Sequence, residues 1–327
     1  MYDVIVIGAG PAGLSAAIYA QRAGKQVLVL EGKNYGGQII NTSKIENYPG
    51  IQEVSGFGFA TGLYEQAKAT GAEISYEKCL KIERAGSRSS AMPLGEEIES
   101  GEVEAAETKK LSKFIVSCKS KQYAARSIII AVGAVNRKLG LEKEEKLTGK
   151  GVSYCATCDG AFYKGKNVAV VGGGNTALED AIFLSNYCKN VYLIHRRDTF
   201  RGEKKWEMLL RERSNVQFYL EQTVSELVGE ERLQGLTLRH VATGEETSLE
   251  VEGLFIAVGQ KPATSDFASL LETDQGGYVM AGEDCQTSIP GIYVAGDCRV
   301  KQVRQLTTAV ADGSVAALAA CSYCEQA

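Results

Sequence analysis

The segment Val4-Ile5-Val6-Ile7-Gly8-Ala9-Gly10-Pro11-Ala12-Gly13 is an apolar run that leads directly into three glycines. This spacing is typical of the turn between the first strand and the first helix of a dinucleotide-binding βαβ unit. Gly8 suits the tight turn, Gly10 lets the backbone approach a pyrophosphate, and Gly13 allows close packing of helix on strand. The segment predicts a nucleotide site at residues 8–13, including Pro11 and Ala12 at the start of the helix.

The next apolar run, residues 27–30, is a predicted strand that ends at Glu31. A carboxylate at this position can accept hydrogen bonds from the hydroxyls of a ribose. The first βαβ unit is therefore expected to bind a dinucleotide through both its phosphates and its sugar.

The same pattern recurs in the second half of the chain. Residues 168–171 form an apolar run, and a later strand ends at His195, so the interval from first glycine to strand end is the same, 8 to 31 and 172 to 195. A second βαβ unit is therefore predicted. Its candidate phosphate-binding residues are Gly172, Gly174, Asn175 and Thr176.

The second unit differs from the first where its strand ends. His195 stands where the first unit has Glu31, and Arg196, Arg197 and Arg201 follow it. Guanidinium groups pair with phosphate, whereas a carboxylate would repel it. The second unit is predicted to bind NADPH through its 2′-phosphate; the alternative is an exposed basic start of a helix.

A second pair of similar segments indicates the domain boundaries. Residues 128–133 and 254–259 are each a short apolar strand ending in a glycine, Gly133 or Gly259. We interpret them as the crossings between two domains, with the second unit inserted into the first. The predicted fold class is α/β, with two Rossmann-like three-layer dinucleotide-binding domains, residues 1–136 plus 262–327 and residues 137–261.

A pair of cysteines precedes the second βαβ unit. Cys155 and Cys158 have the spacing of a redox-active pair, and the adjacent Asp159 can deliver a proton to a departing thiolate. An alternative is half of a zinc site, completed by Cys321 and Cys324. The latter pair, in a predicted helix that begins near Ser314, is otherwise a packing pair or an accessory redox pair. The other five cysteines are expected to be core residues without a constellation.

Composition narrows the function. The 327 residues carry a net charge of −4, which argues against nucleic-acid or membrane binding. They contain only two histidines, which argues against a His-rich metal site and a Ser-His-Asp hydrolase. The N-terminus has no basic region or cleavage motif, which predicts a cytoplasmic protein. Residues 84–112 are rich in Ser, Gly and Glu and are interpreted as a solvated loop or, alternatively, a docking segment for a partner.

These motifs together resemble the bacterial-type, low-molecular-weight thioredoxin reductases over nearly the whole chain. The segments that carry the resemblance are Gly8–Gly13, Gly36-Gly37-Gln38, Glu46–Gly50, Cys155–Asp159, Gly172–Ala177, His195–Arg201, Gly296-Asp297 and Arg304-Gln305. The resemblance implies FAD in the discontinuous domain, NADPH in the inserted domain, thioredoxin as the protein substrate, and a homodimer.

The resemblance also implies roles for residues outside the glycine turns. Those it places along FAD are Gly37, Gln38, Asn47, Gly133, Gly296, Asp297, Arg304 and Gln305, with Asp297 holding the ribityl or phosphate portion. It places Cys158 nearer the flavin than Cys155. Because the disulfide and NADPH share one domain, turnover is expected to require rotation of that domain against the other.

The sequence leaves other functions as alternatives. They are a reductase of a peroxidase-type or other disulfide carrier, an oxidase of small dithiols, a ferredoxin-linked relative, and a non-enzymatic dinucleotide or zinc sensor. Ferredoxin-linked relatives lack the nucleotide motifs, whereas both glycine motifs are intact here. A yellow protein that is bleached by NADPH would eliminate the sensor.

Overall fold

A computed structural model describes residues 1–42, 44–85 and 113–326. Most of the acidic segment 84–112, from residue 86 onward, therefore lies outside the described residues, and its interpretation stays a prediction. The chain forms two compact units. The first comprises Met1–Lys44, Tyr48–Val135 and Lys261–Ala327, and the second comprises Ile45–Asn47 and Asn136–Gln260.

The first unit is built on a sheet in the order β3-β2-β1-β6-β5-β4, with β17 also paired to β6. Strands β3, β2, β1, β6 and β17 pair in parallel with one another, whereas β5 pairs antiparallel with both β6 and β4. The strands are β1 (Tyr2–Ile7), β2 (Val27–Leu30), β3 (Glu73–Ser75), β4 (Cys79–Arg84), β5 (Phe114–Cys118), β6 (Gln122–Ile130) and β17 (Ile292–Val294).

Buried apolar residues cover both faces of this sheet. Val4 and Val6 face a core shared with helices α1 (Pro11–Arg22) and α7 (Leu306–Gln326), and Ile5 and Ile7 face a second core. Continuous apolar runs such as residues 4–7 are what a parallel strand buried on both faces requires. Helix α2 (Gly56–Ala69) begins at the N-cap Ser55, whose Oγ accepts a hydrogen bond from the Gly58 N–H.

The second unit has a fully parallel sheet in the order β11-β10-β9-β15-β8 and an antiparallel sheet in the order β12-β13-β14. A two-stranded ribbon of β7 and β16 lies at its chain boundaries. The strands are β7 (Ala134–Asn136), β8 (Val152–Ser153), β9 (Asn167–Val171), β10 (Asn190–His195), β11 (Val216–Leu220), β12 (Gln222–Val228), β13 (Gly235–His240), β14 (Glu246–Glu250), β15 (Gly253–Ile256) and β16 (Gln260–Pro262).

The parallel sheet of the second unit lies between two different layers. On one face it packs on the antiparallel sheet through Leu227, Leu238 and Leu249, and on the other it packs on helices through Leu178 and Leu210. The helices are α3 (Glu144–Leu147), α4 (Ala156–Asp159), α5 (Asn175–Ser185) and α6 (Lys204–Arg211). The α/β class with two dinucleotide-binding folds is confirmed, as β1-α1-β2 and β9-α5-β10 form parallel βαβ units.

Helix α7 begins earlier than the sequence predicted. It starts at Leu306, not near Ser314, because contacts with distant residues stabilise two poor helix formers within it. Asp312 bonds to Arg299, and a Cβ at Gly313 would lie 2.1 Å from the Ala12 carbonyl oxygen. Glycine is therefore required for the close packing of α7 on α1.

Within the described residues, no helix combines the length and the apolar character needed to cross a bilayer. All seven cysteines outside the Cys155–Cys158 pair are buried, as expected for core residues.

Candidate active site

In the first glycine turn, two of the glycines are packed against backbone and the third borders free space. Gly8 has a φ of +106°, and a Cβ there would lie 2.4 Å from the Ala131 carbonyl oxygen. A Cβ at Gly13 would lie 1.9 Å from the carbonyl oxygen of Gly8. A Cβ at Gly10, by contrast, would have Gly37 Cα as its nearest neighbour at 4.0 Å. Gly8 and Gly13 are thus fixed by packing, and Gly10 borders free space beside Gly37.

The residues around this turn are joined by hydrogen bonds. The Glu31 carboxylate accepts the N–H groups of Ala9 and Lys33, each at 2.8 Å. The side-chain amide of Gln38 donates to the Ala134 carbonyl oxygen, which immediately follows Gly133. Segments that are distant in sequence therefore meet at the carboxyl edge of the sheet, where ligands bind in doubly wound folds.

Gly296 and Asp297 lie at the same edge. A Cβ at Gly296 would lie 2.9 Å from the Cβ of Ala12 at the start of α1. Asp297 Oδ1 is buried and has no hydrogen-bond partner among the described residues. Burial raises the pKa of Asp297, although the charges of Lys301 and Arg304 oppose this shift. A buried acceptor without a donor is costly, so this oxygen is suited to a ligand that brings a donor.

A buried ion network holds the Gly296 turn, and sequence analysis missed it. Asp312 accepts hydrogen bonds from Arg299 Nε at 2.8 Å, Arg299 Nη2 at 2.9 Å and Lys301 Nζ at 2.8 Å. It also accepts the Gly296 N–H at 2.9 Å. The only sequence signal was a single acidic residue within an alanine-rich segment, which does not specify a partner.

The other residues predicted along this edge have different surroundings. The Arg304 guanidinium lies over the Tyr278 ring, 4.1 Å from its centroid, and its Nε donates to the Asp297 carbonyl oxygen at 3.4 Å. Gln305 donates its N–H to Thr308 Oγ1 at 3.1 Å, just before α7. Asn47 is exposed and belongs to the second compact unit.

The second glycine turn repeats the geometry of the first. A Cβ at Gly172 would lie 2.4 Å from the carbonyl oxygen of Ala257, the same distance as from Gly8 to Ala131. A Cβ at Gly174 would meet nothing within 4 Å, and one at Gly10 would meet only Gly37 Cα, at 4.0 Å. Both turns therefore pack against the end of the neighbouring parallel strand and leave one glycine open. Asn175 and Thr176, the first residues of α5, are exposed.

At the strand end of the second unit, His195 is buried and the arginines that follow it are exposed. His195 is only 6% exposed, and a Cβ at Gly173 would overlap its ring at 2.1 Å. Burial lowers the pKa of His195, and the arginine charges nearby lower it further. Arg196, Arg197 and Arg201 are exposed and form no ion pair among the described residues. The free cationic groups at this turn are therefore the arginines.

The cysteine pair lies on the short helix α4 after strand β8. Cys155 and Cys158 are joined in a disulfide with a Cα–Cα distance of 5.3 Å, and both are partly exposed. Ser153 donates a hydrogen bond to Asp159 Oδ2 at 2.6 Å and accepts the Cys155 N–H at 3.1 Å. Burial raises the pKa of Asp159, and the bond from Ser153 opposes the shift. A carboxyl group with a raised pKa is suited to donate a proton.

Ser153 is a second residue that sequence analysis missed. Its role depends on the turn of α4, which brings Asp159 back toward β8, and a serine two positions before a cysteine carries no such signal. The other tight pair, Cys321 and Cys324, is buried in the core between α1 and α7. This placement supports the packing interpretation of that pair. Cys155 and Cys158 are bonded to each other, which fits the interpretation of that pair as redox-active.

Comparison with known proteins defines the class to which this fold and site belong. The family model of the pyridine nucleotide-disulphide oxidoreductases matches residues 2–313, and the chain belongs to that family. It is therefore an oxidoreductase, and membership implies a flavin and a nicotinamide nucleotide as cofactors.

The resemblance to thioredoxin reductases is also confirmed. Curated proteins named thioredoxin reductase from Listeria monocytogenes and Bacillus subtilis are 40% and 38% identical over 327 residues. The alignments cover 100% of this chain and 95% and 96% of those proteins. The crystal structure of thioredoxin reductase from Streptococcus pyogenes has a TM-score of 0.88 and 37% identity, covering 100% of this chain and 99% of that one.

Proposed function

We propose that this protein is an NADPH-dependent thioredoxin reductase that uses FAD and the Cys155–Cys158 pair. The observation that carries the proposal is a partly exposed disulfide in the same unit as a glycine turn. Exposed arginines without an ion-pair partner among the described residues flank that turn. The names of the relatives support thioredoxin as the protein that is reduced. In this proposal residues 1–136 and 262–327 form the FAD-binding domain, and residues 137–261 form the NADPH-binding domain.

The first unit fits FAD by the shape and chemistry of its edge. Gly10 and Gly37 leave room for a pyrophosphate beside the N–H groups at the start of α1, and Glu31 is placed to receive ribose hydroxyls. The unpartnered oxygen of Asp297 would accept a hydroxyl donor of the cofactor. When bound, FAD supplies the two-electron carrier between the nicotinamide and the disulfide. The remaining residues proposed for this site are Gly8, Pro11, Ala12, Gly13, Gln38, Asn47, Gly133, Gly296, Arg304 and Gln305.

The second unit fits NADPH by charge. Arg196, Arg197 and Arg201 are exposed and free to pair with a 2′-phosphate, whereas His195 is packed beneath the turn. Each charge-assisted bond to phosphate contributes about 1.5–3 kcal/mol, which favours NADPH over NADH. The glycine turn at Gly172 to Thr176 would receive the pyrophosphate.

The cysteine pair carries out the disulfide chemistry. When the S–S bond accepts two electrons, it breaks into two thiolates, and Asp159 can protonate one of them. The remaining thiolate attacks the disulfide of thioredoxin and forms a mixed disulfide, which the second cysteine then resolves. The second attack restores the Cys155–Cys158 bond and releases thioredoxin as a dithiol. We assign Cys155 to the attack on thioredoxin and Cys158 to the internal position.

We also propose that turnover requires the two domains to change their relative orientation. The pair has to collect electrons while shielded from solvent and then present a thiol to a protein substrate. One rigid arrangement does not serve both steps, because a shielded disulfide excludes a bulky partner. Engineered cross-links that lock the domains in each candidate orientation should each stop thioredoxin reduction. A locked enzyme that cycles at the unlocked rate would remove this part of the proposal. The homodimer and the cytoplasmic location remain predictions.

Serine variants of the cysteine pair test the proposal. Cys155→Ser and Cys158→Ser should each abolish NADPH-driven thioredoxin reduction, while NADPH still bleaches the flavin absorbance. The matched control is Cys188→Ser, which removes a buried free thiol from the same unit and should leave both activities intact. Thioredoxin reduction at the wild-type rate by either variant would refute the assignment. A panel of thioredoxin-fold and peroxidase-type carriers would distinguish thioredoxin from another disulfide substrate.

A further inference from the structure

The first unit contains a second pair of cysteines that face each other across two strands. Cys79 is the first residue of β4 and Cys118 is the last residue of β5, and the antiparallel register places them directly opposite each other. The sequence, in which 38 residues separate them, predicted no partner for either. Both are buried core residues, as expected, and the antiparallel pairing of β4 and β5 brings the two together.

Both side chains lie on the same side of the sheet. Cys79 is 4% exposed and Cys118 is 9% exposed, and both belong to the core that contains Ile82, Phe114 and Val116. Residues directly opposite on antiparallel strands have Cβ atoms about 4.5–5.5 Å apart. A disulfide needs a Cβ–Cβ distance of about 3.5–4.5 Å and a Cα–Cα distance of about 4.4–6.8 Å. The register of β4 on β5 shifts between Cys79 and Lys81, next to the pair. Bridging the two sulfurs therefore requires a local adjustment of the backbone at this irregularity.

We propose that Cys79 and Cys118 are a second disulfide site, separate from the Cys155–Cys158 pair and formed by exchange with a low-molecular-weight disulfide. One cysteine thiolate attacks the small disulfide, giving a mixed disulfide and releasing one small thiol. The other cysteine then attacks the protein sulfur of the mixed disulfide and releases the second small thiol. Two protein thiols are oxidised to one S–S bond, and one small disulfide is reduced to two thiols.

The surroundings set the rate of this reaction. Burial raises the pKa of Cys79 to about 12, the neighbouring Cys118 thiol adds to that shift, and burial also raises the pKa of Cys118. Few thiolates are therefore present in the closed structure, and exchange requires local opening. Strand β4 is at the edge of the sheet and pairs only with β5 among the described strands, which makes it a favourable place for opening. The bridge should form slowly in the folded protein.

The test is to count thiols and map the bridge in the full-length flavin-loaded protein. After incubation with oxidised glutathione, the number of alkylatable thiols in denaturant should fall from seven to five. Mass spectrometry of the unreduced digest should find the peptides of Cys79 and Cys118 linked and lighter by two hydrogens. A parallel incubation in urea below the unfolding transition should accelerate the reaction, because it increases local opening.

Matched variants identify the pair. Cys79→Ser and Cys118→Ser should each form no intramolecular bridge and so lose no thiols to one. Cys188→Ser should still lose two thiols to the bridge. Thioredoxin reduction should be unchanged in the bridged protein, since neither cysteine belongs to the proposed electron path. The inference is overturned if the wild-type thiol count stays at seven even in sub-denaturing urea. It is also overturned if either cysteine bridges to another partner, such as Cys285, instead.

Discussion

Removal of the Asp312 carboxylate should have a large effect on the first unit. Four donor groups converge on this side chain, two from Arg299 and one each from Lys301 and the Gly296 backbone. The Arg299 side chain is only 3% exposed and that of Asp312 is 8% exposed. Asp312→Ala would leave the Arg299 charge buried without its main partner.

The magnitude follows from burial. Breaking a buried ion pair from one side costs about 3–5 kcal/mol, since the remaining charge stays desolvated. The matched control is Glu283, which lies 3.7 Å from the same Arg299 but is 98% exposed. Glu283→Ala should cost about 0–1 kcal/mol, because water screens an exposed pair. The two variants remove the same kind of group from one arginine and differ mainly in burial.

Urea unfolding with separate probes measures the effect. The chain has a single tryptophan, Trp206, which lies in the second unit, whereas Asp312 lies in the first. Far-UV circular dichroism and release of bound flavin should shift to lower urea in Asp312→Ala. The transition of Trp206 fluorescence should shift less. Separate probes are needed because proteins with several domains often do not unfold in a two-state manner.

The contribution of Asp312 should also depend on pH. Burial alone would raise its pKa, but the hydrogen bonds from Arg299 and Lys301 outweigh burial and hold the pKa below its ordinary value. A carboxyl whose pKa is lower when folded stabilises the fold fully above its unfolded pKa, about 3.9. That stabilisation is lost as the pH falls through the folded value. The stability difference between wild type and Asp312→Asn should therefore shrink in acid.

Two results would refute this reasoning about the network. One is a loss of about 1 kcal/mol or less in Asp312→Ala, equal to that in Glu283→Ala, which would mean that Arg299 is hydrated. The other is a difference between wild type and Asp312→Asn that stays constant as the pH is lowered below about 4.

Three further predictions concern the proposed cofactor and redox sites. Gly10→Ala should keep wild-type stability in circular dichroism melts yet fail to retain FAD, whereas Gly13→Ala should be strongly destabilised because its Cβ would overlap backbone. Equal stability of the two variants would contradict this prediction. Arg197→Ala should raise the apparent KM for NADPH about tenfold and leave that for NADH nearly unchanged, since one charge-assisted bond to phosphate is lost; equal changes would argue against a 2′-phosphate contact. Ser153→Ala removes the hydrogen bond to Asp159 and should raise the pKa of Asp159 further, so the alkaline limb of the pH–rate profile for thioredoxin reduction should move to higher pH. An unmoved limb would exclude Asp159 as the proton donor.

The sequence by itself determined the fold class and the positions of the two glycine turns. This was possible because the requirements are local: an apolar run forms a buried parallel strand, and only glycine fits where a Cβ would meet backbone, as at Gly8 and Gly13. The redox pair Cys155 and Cys158 was also readable from spacing alone. Patterns of this kind do not depend on which distant segment packs against them.

Only the tertiary structure decided the features that rest on contacts between distant segments. Helix α7 extends back through Asp312 and Gly313, because Arg299 and α1 supply contacts that override their low helix propensity. His195 is buried beneath its turn while the arginines beside it stay exposed, although all four carry ring or guanidinium nitrogens in one short segment. Cys79 and Cys118 meet only through the strand register. Burial and pairing are properties of the packed chain, so residue type and spacing could not specify them.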